Sequence, residues 1–250
     1  MNTAHPSPAA PDSDAPAKKR RGALLVYDRM REDIMWMRMA PGSVLDEVAL
    51  AEKYEVSRTP IREALLLLSK EGFVQFLPNR STIVAPMTLD NIPAWLDTFL
   101  LLSRSLVRTV AMKRPGEPEP LLRLLDVYET GLGAGDVRPP FQAQLDLYRE
   151  LAARAENRFL EKYFLEAQDA SVRLKQLHFF PHLGESDRER AVRRLRAVVE
   201  TVSQGDPDAA DTAVTRSILF EARIVRRSLG PTFGHRMVVD APLTDLEDPE

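Results

Sequence analysis

The chain of 250 residues contains no cysteine. That absence excludes a disulfide framework, a thiolate metal site and a cysteine nucleophile, and it suits a reducing compartment. Long hydrophobic runs are also missing, since none approaches the roughly 18 to 20 residues that a membrane span needs. The opening residues, MNTAHPSPAAPDSDAPAKKRR, place no apolar segment behind a basic start and do not read as a secretory signal. The expected location is therefore cytoplasmic, with no membrane contact. Neither charge sign dominates: 34 Lys and Arg stand against 37 Asp and Glu, and residues 1–90 hold 12 of each. Binding of nucleic acid by bulk charge is thus excluded, and phosphate contacts must come from local clusters. Lys18, Lys19, Arg20, Arg21, Arg29 and Arg31, opposed only by Asp28, form one such cluster.

Catalytic and metal-binding patterns are just as sparse. Of the four histidines, His5, His178, His182 and His235, only His178 and His182 lie four apart, and Pro181 interrupts the helix that a ligand pair at that spacing needs. HFFPH reads instead as a helix end running into a loop. No Glu-x-x-His occurs, which argues against a di-iron carboxylate bundle. GLGAGD (131–136) follows a helical stretch and lacks the Gly-Lys-Ser/Thr ending of a phosphate loop, so it reads as a flexible linker. There is no nucleophile elbow, kinase signature or pair of catalytic carboxylates. The chain is expected not to be an enzyme, and to hold no metal and no cofactor.

What the sequence does hold is 44% hydrophobic and 28% charged residues, the balance of a globular protein of one or two domains. Residues 1–21 are rich in Pro, Ala, Ser and Asp without periodicity and read as a disordered arm. From Ala23 the pattern is helical: Leu25, Met30, Ile34 and Met37 recur among charged residues until Ala40-Pro41-Gly42. Leu45, Val48, Leu50 and Ala51 mark a short second helix capped near Asp46 and ending before Val56. A third helix, SRTPIREALLLLSKEG (57–72), has Ser57 as N-cap candidate, Pro60 in its first turn and Gly72 as its stop. Ile61, Ala64, Leu65 and Leu68 form its apolar stripe. Two strand-like runs follow, FVQFL (73–77) and STIVA (81–85), joined by Pro78-Asn79-Arg80. Three short helices and a hairpin make a winged helix-turn-helix, over residues 22–87.

That order assigns roles. A recognition helix must bring its first turns to the major-groove floor while a second helix braces it. Arg58 and Arg62, one turn apart, can offer bidentate donors to guanine or pair with phosphate, and Ser57 and Thr59 can reach phosphate oxygens beside the helix N-terminal amides. Asn79 and Arg80, at the hairpin tip, are placed to meet the minor groove or a phosphate. The basic run at 18–21 reads either as a phosphate-binding arm or as a solvated charge run. Beyond Leu89 the chain is helical by pattern, with about six helices near 90–113, 119–131, 140–155, 157–179, 186–204 and 207–228. Residues 88–229 are expected to form this bundle, and 230–250 a flexible tail. The fold class is mainly α.

The stretch 26–86 resembles the DNA-binding domain of GntR-family transcription regulators, on APGSVLDEVALAEKYEVSRTPIREALLLLSKEGFVQFLPNRSTIV. The resemblance implies a homodimer on a palindromic operator in double-stranded DNA, with Arg58, Thr59 and Arg62 as contact positions. Two departures are visible: the basic residue common in the second helix falls at Val48, and the wing glycine falls at Ser81. The helical remainder resembles the FCD effector domain of the FadR subfamily, on ARAENRFLEKYF and VVETVSQGDPDAAD. Many FCD domains bind a divalent metal through an Asp and three His. The resemblance puts those positions at Gln144, Tyr148, Leu195 and Ser217, and an arginine that often meets the effector carboxylate at Leu100. Leucine cannot coordinate, and Gln, Tyr and Ser are poor ligands for transition metals. The implied reading is a metabolite-responsive repressor whose metal-free pocket takes a small organic effector on Gln144, Tyr148 and Ser217. Three alternatives stand beside it: a metal-dependent regulator with its ligands elsewhere, a bundle whose cavity is filled so that it only dimerises, and a ligand-free architectural DNA-binding or protein-contact module.

Overall fold

The computed structural model describes residues 15–86, 92–113, 118–135 and 137–229. The chain divides into two compact units, one within 1–87 and one within 88–250. Most of the arm expected at 1–21, and the whole tail at 230–250, lie outside the described residues.

In the first unit, α1 spans Ala15–Met35, α2 Glu47–Lys53 and α3 Arg58–Lys70, followed by β1 Val74–Phe76 and β2 Thr82–Val84. Helix α1 begins inside the stretch read as irregular, because Ala, Lys and Arg are strong helix formers that can extend a helix anchored further on. Its buried stripe is Ala23, Val26, Met30 and Ile34. Leu25 is exposed and Met37 lies beyond the helix with φ 59°, so these two are corrected out of the stripe. Helix α2 starts where Asp46 accepts the backbone N–H groups of Val48 at 3.0 Å and Ala49 at 2.8 Å. Helix α3 buries Ile61, Ala64, Leu65 and Leu68 and packs against α1. Gly72, at φ 76°, then turns the chain into the hairpin.

The strands are antiparallel with Val74 opposite Val84 and Phe76 opposite Thr82. They are three residues each, shorter than the runs in the sequence. The segment before α2 lies against β2: Gly42 N–H bonds to Val84 O, Val84 N–H to Ser43 O and Leu45 N–H to Thr82 O. The wing is thereby tied to the start of the helix-turn-helix.

The second unit is helical: α4 Ile92–Met112, α5 Glu119–Ala134, α6 Arg138–Arg154, α7 Arg158–His178, α8 Glu185–Gln204 and α9 Pro207–Leu229, with a 3-10 turn at Phe180–His182. Asn157 caps α7 by accepting from Phe159 and Leu160, and Asp206 caps α9 by accepting from Asp208 and Ala209. Helix α4 packs on α7 and α9, α5 on α6, and α8 on α9. Rings of Trp95, Phe99, Phe164 and Tyr148 follow one another through the core at 5.3, 5.6 and 5.8 Å. The reading of GLGAGD as a linker is corrected: Gly131–Ala134 are the last turn of α5, and among the described residues of the run only Gly135, at φ 77°, leaves the helix. Gly131 is there because α6 comes close, a Cβ at this position lying 2.5 Å from Pro140 Cδ.

Candidate nucleic-acid interface and bundle centre

Helix α3 presents its charged side as the sequence requires. With one face buried, Arg58, Thr59 and Arg62 fall on the exposed face at its N-terminal end. Arg58 is the first helical residue, at the end where the first turn leaves backbone N–H groups without helical acceptors, and its side chain is exposed. Ser57 has the extended backbone of an N-cap but makes no side-chain capping bond, so its hydroxyl is not committed to the helix. Arg62 is held by Glu47 of α2, Nε to Oε2 at 2.7 Å, with 64% of its side chain still exposed. The sequence reading missed this partner. Such a surface pair contributes at most about 1 kcal/mol, which a phosphate or a guanine can offset.

At the wing, Asn79 Oδ1 accepts the Ser81 N–H at 3.0 Å and Leu77 N–H bonds to Ser81 O at 2.8 Å. The left-handed residue of the turn is Arg80, at φ 66°, and not Ser81, the position where the resemblance leads one to expect glycine. Serine at 81 is therefore sterically tolerated, while Arg80 carries a backbone cost of about 1 kcal/mol. Asn79 and Arg80 are both exposed. On α2, Val48 is 40% exposed, an apolar group where a basic one is common.

In the second unit, Leu100, Gln144, Tyr148, Leu195 and Ser217 are all buried. Gln144 Nε2 donates to Glu221 Oε1 at 2.6 Å, and Gln144 Oε1 accepts from Lys175 Nζ at 3.3 Å. Lys175 Nζ closes the ring on Glu221 Oε2 at 2.7 Å, with Lys175 and Glu221 side chains 5% and 10% exposed. Tyr148 bonds to Ser217, one turn before Glu221 on α9, and burial, with the nearby Glu221 carboxylate, pushes the Tyr148 hydroxyl well above its ordinary value. Tyr128 of α5, fully buried, is pushed up in the same way. Three of the five expected pocket residues thus meet in one polar cluster, whose charged members, Lys175 and Glu221, were not anticipated. Their signal was present: Lys175 continues the buried series Phe164, Gln168, Ser171 and Val172 on α7, and Glu221 continues Ala210, Val214 and Ser217 on α9. A charged residue at a core position requires a partner.

This donor set does not fit a divalent metal. The aligned positions supply an amide, a phenol, an aliphatic side chain and a hydroxyl, and the amide already touches a lysine ammonium. Among the described residues, no group of three or more His, Asp or Glu is arranged to hold an ion. His178 and His182 stack at 6.4 Å, but His178 Nδ1 meets Ser228 Oγ at 3.1 Å, and burial holds the His178 imidazole below its usual value.

Comparison with known proteins places both units. Residues 23–84 match the family model of bacterial regulatory proteins, gntR family, and residues 96–219 match the FCD domain. An uncharacterised HTH-type transcriptional regulator from the unstable DNA locus of Streptomyces ambofaciens is 42% identical over 60 residues, 24% of this chain and 25% of that protein. The HTH-type transcriptional repressor RspR of Escherichia coli is 33% identical over 67 residues, 27% of this chain and 29% of that protein. The chain thus matches little more than a quarter of the length of these relatives. Among solved structures, Escherichia coli McbR/YncC superposes with a TM-score of 0.74 at 15% identity, covering 84% of this chain and 99% of that one. A GntR regulator from Rhodococcus gives 0.66 at 18% identity, covering 81% and 97%. At these identities the likeness is one of fold.

Proposed function

Because the chain belongs to the gntR family of bacterial regulatory proteins and carries an FCD domain, we propose that it is a metabolite-responsive transcription regulator, acting as a repressor that binds a palindromic operator as a homodimer. The observation that carries this reading is α3, with Arg58, Thr59 and Arg62 gathered on its exposed N-terminal face. Arg58 and Arg62 read base edges, Ser57 and Thr59 meet phosphate, and Asn79 and Arg80 extend the contact at the wing. The bundle dimerises and holds a metal-free effector site around Gln144, Tyr148 and Ser217, with Leu100 and Leu195 as apolar walls. Two recognition helices must match half-sites at one spacing, so an effector that prefers another spacing weakens operator binding by its differential affinity.

Selection of bound fragments from a random DNA pool, at two salt concentrations and with Arg62→Ala as control, tests this. The unmodified protein should recover a short palindrome. Arg62→Ala should lose it while melting almost unchanged, since its only described ion pair lies at the surface. Recovery of the same palindrome by Arg62→Ala would remove α3 from the recognition role.

A further inference from the structure

A cleft opens in the second unit between the start of α4 and the later parts of α7 and α9. Trp95, Phe99, Leu174 and Ile218 line it, and Lys175 and Glu221 reach it from the core. None of Leu100, Gln144, Tyr148, Leu195 and Ser217 lines it, but Lys175 and Glu221 both bond to Gln144, so the cleft adjoins the cluster proposed above as the effector site. We propose that this cleft is the entrance of that effector site and that its occupant is an uncharged aromatic molecule with one hydrogen-bond acceptor, because the chain's own carboxylate, Glu221, already occupies Lys175, the cation at its inner end. The inference rests on the effector-responsive reading above and names the ligand class for it.

Charge decides the class. Lys175 spends one N–H on Glu221 at 2.7 Å and one on Gln144 at 3.3 Å, and its ammonium lies 5.7 Å from the Phe99 ring centroid. One donor remains for a carbonyl or hydroxyl oxygen. A buried carboxylate ligand would have to displace Glu221 or lie beside it, and a buried ammonium would meet Lys175, so either charge is penalised. At the mouth, Arg223 is half-buried and has an interaction of its own, and Arg226 is exposed, so these two can attract an anion only where it stays solvated. The aromatic preference follows from Trp95 and Phe99, stacked at 5.3 Å on one wall.

The free volume, about 50 Å³, is below the roughly 150 Å³ of an apolar cavity that accepts benzene. An occupant therefore moves a wall. Trp95 is tied to α7 through its indole N–H on the Ala167 carbonyl at 2.8 Å, and it lies in the first turn of α4, the first described element after residues 87–91. Ligand entry thus acts on the turn that follows the connection between the units.

Three probes sharing one phenyl body test the charge rule: benzylacetone, hydrocinnamate and phenethylammonium. Binding is read by the fluorescence of Trp95 in a Trp36→Phe background and by the melting shift of the unmodified protein. Benzylacetone should bind about tenfold more tightly than either ion. Glu221→Gln should reverse the order in favour of hydrocinnamate, because Lys175 is then uncompensated. The doubly neutral Lys175→Gln, Glu221→Gln chain should bind benzylacetone and gain nothing for hydrocinnamate. Preference of the unmodified protein for hydrocinnamate, or a gain of anion binding in the double variant, overturns the inference. Failure of all three probes in every chain, with palindrome recovery intact, overturns the cleft alone and leaves the regulator reading standing.

Discussion

Asp33 draws donors from three places in the first unit: Arg38 Nε at 2.6 Å, Lys53 Nζ at 2.6 Å and Tyr54 Oη at 2.8 Å. It ties the end of α1 to the end of α2 and so helps to set the base on which α3 stands. Burial pushes its carboxyl up, but the bonds from Lys53, Tyr54 and Arg38 outweigh it, and the group sits below the ordinary 3.8. A depressed carboxyl contributes stability that is complete above its unfolded value and is lost as pH falls through the folded one. Asp33→Asn should destabilise the first unit by about 1–3 kcal/mol near neutral pH, through the loss of charge-assisted bonds. It should also remove part of the acid-induced loss of stability below about pH 4. Urea unfolding followed across that range checks both, and an unchanged acid limb in the variant would show that Asp33 is not a source of it. None of this was legible beforehand, because Asp33 lies among charged residues of a helix pattern and its partners are 5, 20 and 21 residues away.

Elements announce themselves through their ends more clearly than through their interiors. Asp46 and Asp206 cap their helices through bonds that a short side chain makes to amides two and three residues on, a signal that is local in sequence. The α3 stripe was equally legible, since Ile61, Ala64, Leu65 and Leu68 repeat within one helix. The end of α5 was not, because glycine lowers helix propensity and only the approach of α6 explains why the helix continues through it. That explanation separates two glycines in the same turn. A Cβ at 131 would lie 2.5 Å from Pro140 Cδ and 3.0 Å from Pro140 N, whereas one at 133 meets nothing within 4 Å. Gly131→Ala should gain about 1 kcal/mol of helix propensity and lose about 1–3 kcal/mol to overpacking, for a net destabilisation. Gly133→Ala keeps the gain alone and should stabilise by up to about 1 kcal/mol. Thermal melting of both variants decides it, and equal shifts would mean that the α5–α6 approach is looser than described.

At the scale of the whole molecule the net charge is −3, so long-range attraction does not bring this protein to a polyanion. Operator affinity must then come from a few cations whose effects are separable. Arg58 and Arg62 stand on α3, and their proposed contacts depend on sequence. Lys18, Lys19, Arg20 and Arg21 fall within α1, and if they meet DNA they do so through phosphate, which carries no sequence information. Each phosphate neutralised adds about 0.9 to the slope of log affinity against log salt. Replacing all four by alanine should therefore lower that slope by about 2 to 4, weaken binding to every duplex alike and leave the selected palindrome unaltered. Arg62→Ala should do the reverse, erasing preference among sequences while changing the slope by no more than about 1. Titration of operator and scrambled duplexes over a range of salt, with both variants, separates the two contributions. An unchanged slope in the fourfold variant would assign the basic run to solvent and leave α3 and the wing as the whole of the contact.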